Sequence, residues 1–167
     1  MEIGISLGSN LGDRLANLKE AKRLLGLLAG VRVTAQSRVY ETSPVDVPGE
    51  FEHLPFLNSV LLVETAIPPV VLLGMFNGIE NTMGRERSTA RNAPRPIDID
   101  IIFAGHLQVA GDGVTIPHPR WAGRRFVVEP LNDVRPDMTV PGQTGTVRSL
   151  LSSLPAGHEA HVFTGEW

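Results

Sequence analysis

Apolar positions recur along the chain with two different periods. Ile3, Ile5 and Leu7 alternate with smaller or polar residues, which predicts a strand over residues 1–7, and Gly8-Ser9-Asn10 then reads as a turn. Leu11, Leu15, Leu18, Leu25 and Leu28 follow helical spacing, with Asp13 near the start and Gly30 at the end of the pattern. Over residues 31–42, Val31, Val33, Ala35 and Val39 alternate with Arg32, Thr34, Gln36 and Arg38, predicting one strand with a wet face. Residues 43–55 carry Pro44, Pro48, Gly49 and Pro55, a loop long for a compact domain and suited to binding or to a lid. Residues 56–65 read as the next strand. Pro68 and Pro69 suit the first turn of a second helix running to about residue 83, although Gly74 and Gly78 weaken it. A polar loop over 84–94 leads into a strand over 98–103.

Strand, helix, strand, strand, helix, strand is the order of a ferredoxin-like α+β fold, with helices packed on one face of an antiparallel sheet. Beyond that core, residues 107–110 and 114–116 predict a short hairpin. Pro117-His118-Pro119-Arg120 breaks the chain, Arg124-Arg125-Phe126-Val127-Val128 resumes an apolar run, residues 130–144 are turn-rich, and residues 146–154 predict a last short helix. No repeat or second domain is visible, so residues 1–167 read as a single domain.

Composition narrows the chemistry. A length of 167 residues at 42% hydrophobic supports one full core. The net charge of -3 gives no global field to recruit nucleic acid or a membrane. The absence of cysteine excludes disulfides, zinc–thiolate sites and a thiol nucleophile. No basic leader and no apolar run near the ~20 residues of a membrane span is present, so a cytoplasmic protein is expected. The basic residues are 13 arginines and only Lys19 and Lys22, and no P-loop motif occurs. Phosphate, if bound, must be held by arginine forks.

The chemistry concentrates at residues 91–103. Ile97, Ile99 and Ile101 alternate with Asp98 and Asp100, so both carboxylates share a strand face, ~7 Å apart. Two such anions repel and lose solvation unless cations meet them. Mg²⁺ is held by one or two carboxylates plus substrate phosphates, which fits the pair; a solvated outer strand face fits the same two residues. Arg85, Arg87, Arg91 and Arg95 lie just upstream. Phosphoryl transfer needs positioning and charge neutralisation, which an arginine-rich loop supplies, although a solvated charged loop has the same composition.

Other residues extend the picture to a planar organic substrate. His118 is fixed between two prolines near Arg120, Arg124 and Arg125, ready either for a phosphate or for a backbone contact. Phe56 and Phe126 stand at the edges of apolar segments beside loops, where they could sandwich a ring or join the core. The amide of Asn58 carries a donor and an acceptor able to read a ring edge, and Thr42 ends a strand before the long loop. Trp121 fits surface packing equally well.

Several stretches together resemble the 6-hydroxymethyl-7,8-dihydropterin pyrophosphokinase family of folate biosynthesis. They are Leu7-Gly8-Ser9-Asn10-Leu11-Gly12, Tyr40-Glu41-Thr42-Ser43-Pro44, Phe56-Leu57-Asn58, Gly84-Arg85-Glu86-Arg87, Pro94-Arg95-Pro96-Ile97-Asp98-Ile99-Asp100, Pro117-His118-Pro119 and Arg124-Arg125-Phe126-Val127. The resemblance implies ATP-dependent pyrophosphoryl transfer to the pterin hydroxymethyl oxygen, with release of AMP. It implies two Mg²⁺ ions on Asp98 and Asp100, catalytic arginines at Arg85 and Arg95, and a further phosphate contact at Arg87. His118 and Arg124, like Arg95, match nucleotide-phosphate ligands, and Asn77 and Glu80 match positions near the adenosine. Phe56 and Phe126 match the pterin-stacking pair, Asn58 the polar reader, with Thr42 and the backbone at Ser43 and Val45 nearby. Asn92, Gly113 and Pro119 depart from residues seen in some members. The expected partners are the two small substrates alone, for a monomer, with association to other folate enzymes left open.

Two rival readings remain at this stage. A polymerase-β-type nucleotidyltransferase also uses a Gly-Ser turn and Asp-x-Asp, but there the aspartates follow the turn closely, whereas Ser9 and Asp98 are far apart here. A non-catalytic ferredoxin-like nucleotide- or pterin-binding module would not need the carboxylates and the arginine loop together.

Overall fold

The chain is described by a computed structural model, covering residues 1–45, 49–84, 93–111, 113–157 and 159–167. Its main sheet is antiparallel throughout. It holds β1 (Glu2–Ser9), β2 (Val31–Gln36), β3 (Val39–Thr42), β4 (Phe56–Thr65), β5 (Asp98–Ala104) and a last strand at Ala160–Thr164. The order runs β5-β1-β4-β3 and then that last strand, with β2 also on β4. Residues 109–111 and 114–116, here β6 (Val109–Gly111) and β7 (Val114–Ile116), form the separate expected hairpin, which makes the last strand β8. The helices are α1 (Arg14–Leu27), α2 (Pro69–Thr82), α3 (Arg125–Val134) and α4 (Val147–Ser153). The ferredoxin-like order is therefore observed, with β8 added at one edge. Among the described residues, no helix is long and apolar enough to cross a membrane.

The strand expected over 31–42 is interrupted at Ser37 and Arg38. Ser37 causes this with its own hydroxyl, which accepts from the Val60 amide at 2.9 Å and donates to the Arg38 carbonyl at 2.7 Å. A side chain thus takes the place of a ladder partner, and the pairing restarts beyond it.

The two core helices α1 and α2 pack on one face of the sheet, as expected, and α3 is added on the other. β4 is buried on both sides. Leu57, Leu61 and Val63 pack with α1 and α2, alongside Ile97, Ile99 and Ile101. Val60 and Leu62 pack with Ile102, Phe103 and the Val127, Val128 and Leu131 side of α3. Over α3 the sequence predicts only an apolar run at 124–128 followed by turns from Pro130. Its stripe of Val127, Val128 and Leu131 is nonetheless helical, and burial on β4 offsets the backbone bond that Pro130 forfeits. Ile102 is the extra residue of a bulge in β5, so Ile102 and Phe103 both reach the α3 side. Gly4 is required there: a Cβ would lie 2.4 Å from the Phe103 ring.

Candidate active site

The α3 face of the sheet is not fully covered. β1, β3, β4 and β5, the segment after β7 and the start of α3 line a cleft that opens to solvent. Ile99 and Ile101 of β5 are buried against α1 and α2, so period two turns Asp98 and Asp100 into this cleft, each half-buried.

Strand register organises the floor. Asp98 pairs with Gly8 on β1, Gly8 with Asn58 on β4, and Asn58 with Tyr40 on β3. Directly opposed residues share a face, so these four form one row across the sheet. Gly8 leaves the gap in that row. A Cβ on it would stand 3.4 Å from Asn58 Oδ1, 3.8 Å from the Phe56 ring and 3.9 Å from Asp98 Cβ. In the neighbouring rows Ser6 opposes Asp100, and Phe56 opposes Thr42.

The end of the cleft at Asn58 is fitted to read a ring. Asn58 and Thr42 are 3% and 4% exposed, and Asn58 Nδ2 donates to Thr42 Oγ1 at 2.7 Å. One N–H and the carbonyl of Asn58 remain for a ligand. Phe56 and Phe126 both line this end, together with Ser43 and Val45. All six expected pterin residues thus fall in one cleft.

Toward Asp98 the cleft is lined by cationic groups and a histidine. The Arg95 guanidinium donates to Asp98 Oδ2 at 2.9 Å and lies 6.0 Å from the Phe56 ring centroid. Its backbone is held by the Gly8-Ser9-Asn10 turn: the Arg95 amide donates to Asn10 Oδ1 at 2.9 Å, and the Asn10 amide donates to the Arg95 carbonyl at 3.3 Å. Arg124 lies 5.4 Å from the Phe126 centroid. The His118 amide donates to the Ile102 carbonyl at 2.9 Å, and its Nδ1 accepts from the Arg120 amide at 3.1 Å. That bond leaves the proton of the neutral imidazole on Nε2. Burial, then Arg124 and Arg120, hold the His118 pKa below its ordinary value.

The remaining expected residues are placed elsewhere. Arg85, Arg87 and Arg91 lie outside the described residues. Asn77 is exposed on α2 and does not line the cleft. Glu80 is 4% exposed and accepts from the Ile99 amide at 2.8 Å, on the helix side of β5.

Some lining residues were not expected. Trp121, whose place the sequence leaves open, is 3% exposed and walls the cleft with Ile102 and Val127. Its position depends on the short turn Trp121–Gly123, which carries no periodic signal. Ser6 could have been found by projecting β1 against β5, because it falls opposite Asp100 once the register is known.

Asp98 and Asp100 suit a hard divalent cation. Among the described residues no group of three or more His, Cys, Asp or Glu gathers as an all-protein cage. A pair of carboxylates beside a cationic wall instead matches Mg²⁺, which completes its shell with substrate phosphates and water.

Comparison with known proteins places the chain in a family. Bacillus subtilis 2-amino-4-hydroxy-6-hydroxymethyldihydropteridine pyrophosphokinase is 39% identical over 130 residues, covering 78% of this chain and 75% of the relative. The Methylorubrum extorquens protein of the same name is 37% identical over 156 residues, covering 93% and 95%. An Arabidopsis thaliana folate synthesis bifunctional protein is 43% identical over 133 residues, covering 80% of this chain; the chain spans only about a quarter (27%) of that longer relative. The fold matches the crystal structure of Plasmodium falciparum HPPK-DHPS with pteroate at a TM-score of 0.70, with 17% identity, 90% of this chain and 42% of that one. The family described as 7,8-dihydro-6-hydroxymethylpterin-pyrophosphokinase (HPPK) matches residues 4–136, most of the chain including every strand of the cleft floor, and the chain belongs to that family.

Proposed function

We propose that this chain transfers the pyrophosphoryl group of ATP to the hydroxymethyl oxygen of 6-hydroxymethyl-7,8-dihydropterin. The observation that carries this reading is the row across the sheet, which sets Asp98 and the Asn58–Thr42 pair in one cleft on either side of Gly8. Members of the family use ATP as co-substrate and generally Mg²⁺. We assign Asp98 and Asp100 as the holders of two such ions.

In the reaction, the pterin hydroxyl oxygen bonds to the β-phosphorus of ATP. The bond from that phosphorus to the oxygen bridging to the α-phosphate breaks, AMP leaves, and the hydroxyl proton is released. Bound Mg²⁺ would neutralise phosphate oxygens and acidify the attacking hydroxyl. The protein's own groups do the positioning. Phe56 and Phe126 hold the ring by stacking, and Asn58 fixes its edge, so the hydroxymethyl arm points along the row toward Asp98. Arg95, held at its backbone by Asn10, leaves Asp98 for the transferring phosphates, where its planar fork opposes the developing charge. His118 Nε2–H and Arg124 bind the nucleotide phosphates. Arg85 and Arg87 are assigned to the same phosphates on family likeness. So is Asn77 to the adenosine end, while the buried bond from Ile99 to Glu80 supports a role through β5.

We assign the chain to action as a monomer in the cytoplasm, where ATP is available. The bifunctional relatives support association with other folate enzymes. Incubation with ATP, Mg²⁺ and hydroxymethyldihydropterin tests the reading. AMP and the pterin diphosphate are the expected products. ADP, free pyrophosphate or no product overturns it.

A further inference from the structure

The pterin end of the cleft has one wall on the sheet and one on α3. Thr42 and Asn58 belong to the first, Phe126 to the second. The gap between them is set where α3 is fastened to β3, and the fastening is Asp133. Its carboxylate is 15% exposed. It accepts from the Tyr40 hydroxyl at 2.9 Å, from the Arg38 amide at 3.1 Å, and from Arg38 Nε and Nη2 at 3.1 and 2.7 Å.

Position gives this contact leverage. Asp133 follows Phe126 by seven residues, which is two helical turns, so both lie on one stripe of α3, about 10 Å apart. Tyr40 precedes Thr42 by two residues on the same strand face and is the cross-strand partner of Asn58. Fastening Asp133 over Tyr40 therefore fixes where Phe126 stands over Thr42 and Asn58. Arg38 occupies the break between β2 and β3, and this is what turns its amide toward Asp133 instead of into the sheet.

The chemistry makes the joint stiff. Tyr40 is 2% exposed. Burial, and then the Asp133 carboxylate, push its ionisation above the ordinary tyrosine range, so the hydroxyl stays a donor at any working pH. A carboxylate that accepts from a buried hydroxyl, an amide and both sides of a guanidinium cannot shift without losing several charge-assisted bonds at once.

We propose that Asp133, acting through Tyr40 and Arg38, is a positioning residue that sets the gap between Phe126 and the Thr42–Asn58 pair, and so governs pterin affinity without touching the pterin. This rests on the pterin reading of that end of the cleft. At the nucleotide end, Asp98, Asp100 and His118 are held by β5 and its backbone bond to His118, independently of this joint, and only Arg124 is carried by α3.

The test uses the full chain and the variants Tyr40→Phe, Asp133→Asn and the double variant. Pterin affinity is read by ligand fluorescence, affinity for a non-hydrolysable ATP analogue with Mg²⁺ by calorimetry, and folding by thermal melting. A wall displaced by a fraction of an ångström should weaken pterin binding about tenfold in either single variant. The double variant should be no worse than Asp133→Asn, because both act through one contact. ATP-analogue affinity should fall much less than pterin affinity, because only Arg124 of that end is carried by α3. Unchanged pterin affinity, or equal loss for both ligands, overturns the proposal. Tyr40→Phe removes one oxygen and keeps the ring, so it decides the matter even if Asp133→Asn folds poorly. A wild-type chain that binds no pterin overturns the functional reading itself, and this inference with it.

Discussion

Asn58 Nδ2 donates to Thr42 Oγ1 at 2.7 Å, with both residues almost wholly buried at the closed end of the cleft. The bond fixes which edge of the amide a ligand meets. Thr42→Val keeps the shape and removes the acceptor. The buried Asn58 donor then loses its partner, at a stability cost of about 1–3 kcal/mol. Pterin Kd should rise about tenfold as the amide loses its fixed orientation. Fluorescence titration checks this, and an unchanged Kd would remove Thr42 from the reading.

Gly8→Ala should fold normally. The added Cβ would sit at ordinary contact distance from Asn58, Phe56 and Asp98. It would, however, fill the gap where the ligand crosses the row. The expected result is an unchanged melting temperature with pterin binding weakened by at least tenfold, since overfilling a packed site costs about 1–3 kcal/mol. Normal binding would show that the ligand lies elsewhere.

Asp98→Ala removes a carboxylate from the candidate metal pair and the partner of Arg95. Mg²⁺-dependent turnover should disappear while the apo fold melts close to wild type. Calorimetry with Mg²⁺ and an ATP analogue should show weakened metal-dependent binding. Turnover at the wild-type rate would refute the metal role.

Arg95→Ala should lower kcat by ~10² or more if the guanidinium acts chiefly in the transition state. A rise in KM alone would reduce it to a binding group. Comparing kcat with KM for ATP separates the two outcomes.

His118 links stability to pH. Its folded pKa lies below the ordinary value of 6.5, so between those two values the unfolded chain binds more protons. Stability from this group is therefore present above pH 6.5 and lost as pH falls toward the folded pKa. Thermal melts across the acid range should show a slope in the wild type that is smaller in His118→Gln. Identical slopes would exclude the histidine as its source.

The fold's core was legible because its signals are local. Period two marks β1 and β5, and leucine spacing marks α1. The site residues on those strands were legible for the same reason: alternation alone decides which face Asp98 and Asp100 occupy. What escaped the sequence depends on long-range pairing. The break at Ser37 needs the Val60 amide as its partner. α3 needs β4 to bury the stripe that Pro130 disguises. β8 exists because β3 leaves an open edge for it. Trp121 and Asp133 have no motif of their own, and their importance lies in what the folded chain brings against them. The resemblance to the family supplied roles for Phe56 and Phe126 that composition left open between core and ligand.

The row from Asp98 through Gly8 to Asn58 spans two strand spacings, about 10 Å. Backbone hydrogen bonds fix that span, so side-chain motion cannot stretch it. On the proposed function, the sheet thereby acts as a gauge for substrate length. A ring read at Asn58 places its substituent at a set distance, and an alcohol on a one-carbon arm meets the reacting end in register. A homologue of the substrate with an arm one carbon longer could stack equally well and still present its oxygen off line, binding as an inhibitor rather than reacting.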